Sequence, residues 1–197
     1  MSEDADRPRA GGEIAGAARG LTRLIRFDPQ WYEGFDFSAG GFVRSFGAAL
    51  AGLPFAIIMG AILFRSAGVS QEVLTRGLAA TGVGYAVNAV GFPLLAALIA
   101  RPVGVTQGYV ALIVVLNWAG LFLTMLLAAG SLAVLVGAGP LFGLVSLLQI
   151  ALKVFVVWRA AKETLTGELG VTVLMVVLFV ALDFGSDYLG LMLAAPS

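Results

Sequence analysis

The chain has 197 residues, 59% of them hydrophobic and 12% charged, with a formal net charge of zero. A soluble domain carries roughly 25% charged residues, so this is the composition of a polytopic membrane protein, with no basic excess to suggest nucleic acid. Cys and His are both absent, which removes disulfides, Cys/His metal sites, Fe–S ligation, His-ligated haem and every general base built on those side chains.

Residues 1–12 (MSEDADRPRAGG) are polar and rich in Pro and Gly, so a disordered tail is expected. An early apolar core of the kind a signal peptide needs is missing. Residues 13–40 form a second kind of segment. In 13–27, Ile14, Leu21, Leu24 and Ile25 recur at three- and four-residue spacing among Arg19, Arg23 and Arg26. That pattern predicts a short amphipathic helix on the membrane surface, ended by Pro29. Trp31, Tyr32, Phe35 and Phe37 follow closely, and Trp and Tyr favour the headgroup level, so these four are the expected interfacial anchor.

From residue 41 onward the chain reads as a transmembrane helical bundle. A span needs about 20 apolar residues, and five runs qualify: 41–64, 77–100, 109–129, 140–158 and 169–193. The break at 130–139 (GSLAVLVGAG) is itself apolar, so the third span could run longer. Pro54 and Pro93 lie inside the first two spans and should kink them. Ala80, Gly84, Asn88 and Gly91 form a small-residue stripe on the second, suited to close helix contact. Arg7, Arg9, Arg19, Arg23, Arg26, Arg44, Arg101, Lys153, Arg159 and Lys162 fall on one side, and only Arg65 and Arg76 on the other. The positive-inside rule therefore puts the N-terminus in the cytoplasm and, with five spans, the C-terminus outside. The segment 159–168 reads as a solvated, topology-setting loop.

Asp183 is the sharpest feature, a carboxylate deep in the fifth span. An ionised Asp at a helix centre in lipid costs roughly 2.5–3.5 kcal/mol, so it should face protein or water and not acyl chains. At 1.5 Å per residue, Asn88, Asn117, Gln149 and Asp183 lie about 18, 12, 14 and 21 Å from the cytoplasmic ends of their spans. They form a candidate polar layer. The alternative role for each amide is a structural bond to a neighbouring helix, worth about 0.6 kcal/mol on average. Lys153 lies only about 8 Å deep by the same count, which argues against a pair with Asp183 and for snorkelling to the surface. Asp187, one turn beyond Asp183, shares its helix face. Two carboxylates without further ligands do not make a metal site.

Residues 35–46 (FDFSAGGFVRSF) and 156–169 (VVWRAAKETLTGEL), with five closely spaced spans and an amphipathic N-terminal region, resemble the Yip-type membrane proteins. Eukaryotic members of that group act with Rab GTPases in vesicle traffic. The small bacterial members that this chain looks like have no settled activity, so the resemblance implies architecture and no substrate. The Ala-, Gly-, Val- and Leu-rich composition suits a bacterial inner membrane. No catalytic motif is present, so an enzyme is not expected, nor is a cofactor or a metal. The expected partners are the lipid bilayer and other membrane proteins or a second copy, with no nucleic acid. The expected role is a scaffold or accessory subunit of a membrane complex. The alternative is a small oligomeric transporter or channel that uses the polar layer around Asp183.

Overall fold

The computed structural model describes residues 10–165 and 168–194. The fold is all-α. A short helix α1 (Ala10–Ile25) is followed by a 3-10 turn (Pro29–Gly34) and then by five long helices. These are α2 (Ala39–Ser66), α3 (Gln71–Val103), α4 (Thr106–Leu135), α5 (Gly139–Thr164) and α6 (Leu169–Ala194). All five are long and apolar enough to cross a membrane, which makes this a multi-pass membrane protein.

Each long helix exceeds the span expected from its apolar run. A run of apolar residues marks the hydrocarbon layer, whereas a helix continues until something stops it. Ser38 caps α2 by accepting from the Gly41 N–H at 3.1 Å, and Ser70 caps α3 by accepting from Val73. Gly104 and Gly137, both at φ +77°, end α3 and α4 in the left-handed region that Gly enters without steric cost. Thus α4 takes in most of the 130–139 break. Likewise α5 runs through Arg159, Lys162 and Glu163 to Thr164, so the solvated loop expected there is helical up to that point.

The five long helices form a closed ring in the order α2, α4, α5, α6, α3 and back to α2. The dominant neighbours are α2 with α4, α4 with α5, and α3 with α6. On α3, the small-residue stripe is spent on this last contact. A Cβ on Gly84 would meet the Ser186 carbonyl oxygen at 3.1 Å, and one on Gly91 would meet Leu182 at 3.2 Å.

At one end of the ring sits α1. It starts at Ala10, so Ala10–Gly12 are helical and only residues 1–9 of the expected tail lie outside the described residues. Glu13 in its first turn and Arg23 in its last complement the helix dipole. The helix stops at Ile25, short of Pro29, because Phe27 adopts φ +61°. Pro29 instead opens the 3-10 turn, which Asp28 caps through the Gln30 N–H. The buried face of α1 is Ala17, Leu21 and Leu24, set into the same core as Leu112–Leu116 of α4 and Val156, Val157, Ala160 and Ala161 of α5. Ile14 and Ile25, expected on that face, point outward.

Candidate functional site

Three helices bring a charged pair together inside the ring. Lys153 of α5 donates to both carboxylate oxygens of Asp183 on α6, at 3.0 Å to Oδ1 and 2.8 Å to Oδ2. Asn88 of α3 donates its Nδ2 to Oδ1 at 3.0 Å. Asp183 thus accepts from two neighbouring helices and does not stand alone in lipid. The side chains of Lys153 and Asp183 are 23% and 26% exposed, so the pair retains open surface. The Asp187 side chain lies outside the described residues.

The pairing corrects the depth expected for Lys153. Counting began at Trp158, where the apolar run stops, but α5 continues to Thr164. From the true ends, Lys153 is eleven residues in and Asp183 fourteen. Three residues are about 4.5 Å along a helix, within reach of a lysine stem. The signal was a lone Lys within an otherwise apolar run, and it was misread through the helix boundary.

Asn88, Asn117, Gln149 and Asp183 all line one interhelical cavity of about 380 Å3, to which every long helix contributes. On α5 its wall is Ser146, Gln149, Ile150 and Lys153, the three- and four-residue spacing of one helix face. On α3 it is Thr81, Tyr85, Asn88 and Phe92. The members are not equivalent. Asn117 donates to Ser45 Oγ at 2.9 Å in a buried bond between α4 and α2, and Ser45 in turn donates to the Phe42 carbonyl. That is structural bonding. Gln149 is buried on the cavity wall. Sequence reasoning missed Tyr85, whose hydroxyl donates to the Ala49 carbonyl at 2.7 Å across Gly52.

The aromatic segment near the N-terminus turns inward. Trp31 is buried and packs edge-on against Phe35 and Phe37 at 6.1 Å each, so it serves as a core residue of the cap and not as a headgroup anchor. Phe35 and Phe37 are half-buried, and Tyr32 alone of the four is exposed. Arg44 fastens the segment by pairing with Glu13 at 2.6 Å and Asp36 at 2.5 Å. Two hydrogen bonds from Ser38, and then the Arg44 guanidinium, hold the Asp36 carboxyl below its ordinary value of 3.8. At the α5 end, Arg159 is buried under the Phe27 ring at 4.6 Å and pairs with Glu163.

Chemically, the cavity offers one neutral ion pair, amides and hydroxyls, with apolar walls between them. Among the described residues no group of three or more carboxylates could hold a metal ion. No protein-family model, curated protein or solved structure matches the chain.

Proposed function

We propose that the protein is a non-enzymatic, multi-pass protein of the bacterial inner membrane, N-terminus in the cytoplasm and C-terminus outside, that binds and passes a small solute through the cavity. The observation that carries this reading is the Lys153–Asp183 pair set against a cavity lined from all five long helices. Ion pairs at membrane depth are expensive and cluster along substrate and ion paths, and transporters place their sites between helices near the midplane. A bundle serving only as a scaffold needs its helices joined, and bonds such as Asn117–Ser45 suffice for that.

Because the chain has no native Cys, single-Cys variants give a clean test. Ser146→Cys and Ala89→Cys line the cavity, whereas Leu147→Cys stands on the outer face of α5. In whole cells and inverted vesicles, a membrane-impermeant thiol reagent should modify the two cavity positions and spare Leu147→Cys. No modification of either cavity position from either side sinks the solute path. The second reading, a scaffold or accessory subunit, has its own support in α1 and the aromatic turn, where Ile14, Ile25, Phe27 and Tyr32 stay exposed. It is also the reading closest to the Yip-type resemblance. It gains if a membrane partner co-purifies in constant ratio while the cavity positions stay unreactive.

A further inference from the structure

The hydrogen-bond capacity of the pair, together with its net charge, narrows the solute. We infer, resting on the cavity as the site of function, that the ligand is a small amphipathic zwitterion: one ammonium and one carboxylate at one end, hydrocarbon at the other. A lysine ammonium has three donors, and Lys153 spends two on Asp183. An ionised carboxylate has about four acceptor sites, and Asp183 fills three, with Lys153 twice and Asn88 once. One donor on Lys153 and one acceptor position on Asp183 Oδ2 remain. A carboxylate beside Lys153 and an ammonium beside Asp183 use both without breaking the pair.

Singly charged solutes do worse. A lone anion that takes the Lys153 donor puts a second negative charge beside Asp183, and a lone cation puts a second positive charge beside Lys153. Either leaves an unbalanced charge in a low-dielectric place. Gln149, one helical turn before Lys153 on the same face, adds an amide to the cavity wall. Beyond the pair the wall is mostly apolar, with Ala56, Met59, Leu123, Leu127 and Ile150, and is interrupted by the hydroxyls of Thr81, Tyr85 and Ser146. Those three hydroxyls already donate to the backbone carbonyls of Gly77, Ala49 and Phe142, so the wall matches an apolar amino acid better than a polyol, which needs free hydroxyl partners all round. The cavity of about 380 Å3 falls within the roughly 300–1,000 Å3 of small-molecule pockets.

The test is equilibrium dialysis of the purified full chain in lipid nanodiscs with labelled L-leucine. Isocaproate and isoamylamine serve as competitors, because each keeps leucine's hydrocarbon and only one of its charges. Leucine should bind saturably, and each single-charge analogue should compete about tenfold or more less well, the usual effect of losing a charged hydrogen bond. The double variant Lys153→Met/Asp183→Leu removes the pair without stranding a charge, so it should stay folded and monodisperse while losing leucine binding. Leucine should also slow thiol labelling of Ser146→Cys in otherwise native protein. Equal competition by either analogue, or unchanged leucine binding in the double variant, overturns the zwitterion. A reactive but unprotected Ser146→Cys, with no leucine bound, overturns the zwitterion and leaves the cavity as a site. If both Ser146→Cys and Ala89→Cys are unreactive, the cavity reading goes, and the ligand class falls with it.

Discussion

At the scale of single residues, two polar contacts of similar length carry different weight. The Asn117–Ser45 bond joins neutral groups between helices, so Asn117→Leu should cost about 0.6 kcal/mol, near the average for such bonds. Lys153→Met leaves the Asp183 carboxylate without its cation. For fully buried pairs that loss is roughly 3–5 kcal/mol, and it should be less here, because about a quarter of each side chain is open. Thermal midpoints in detergent should therefore rank Lys153→Met well below Asn117→Leu, and equal midpoints would remove Asp183 from its special position. Gly52 is a third test. A Cβ there would strike the Tyr85 hydroxyl, so Gly52→Ala should cost about 1–3 kcal/mol by overpacking. Tyr85→Phe in the same chain should recover most of it, since the hydroxyl is what stands in the way. Additive losses in that double variant would contradict the contact.

Among the elements, α1 and the aromatic turn form a cap held by burial on one side and by charge on the other. Leu24 is fully buried, so Leu24→Asp should release α1, read as protease cleavage near Arg26 that the parent resists. Asp36 gives the cap a pH dependence of known sign. Its folded value lies below 3.8, so its stabilising contribution is complete above that value and is lost as pH falls through the depressed one. In a variant keeping Trp31 as sole tryptophan, emission should shift red as the pH falls below 3.8. Asp36→Asn should abolish the dependence, and an unchanged profile in that variant would assign it elsewhere. The cap also shows what sequence could tell. Its helix and aromatic cluster were legible, because three- and four-residue spacing survives any context. Which way Trp31 faced was not, because an interfacial anchor and a small packed core both call for an aromatic with one polar atom.

For the molecule as a whole, the number and order of spans could be read from apolar runs. The ring order could not. Lipid and the interior of a bundle both present apolar surface, so composition does not say that α2 packs chiefly on α4 and α3 on α6. The Lys153–Asp183 pair was lost for a related reason, since the apolar boundary at Trp158 hid the continuation of α5. Five spans make a topological prediction. Reporters at the two ends of the chain should report opposite sides of the membrane, and a C-terminal reporter active in the cytoplasm would contradict an odd number of spans.

The ring order also bears on how the chain is made. The two members of the ion pair lie 30 residues apart, so at 5–20 residues per second Asp183 leaves the ribosome roughly 2–6 s after Lys153. During that interval α5 has entered the bilayer with an ammonium and no counter-ion, and α3 carries an amide with nothing to bond. The lysine can wait with its stem stretched toward the headgroups. Only when α6 arrives between α5 and α3 does its carboxylate draw both inward, so α6, made after the other four long helices, completes the polar centre and closes the ring at the same time.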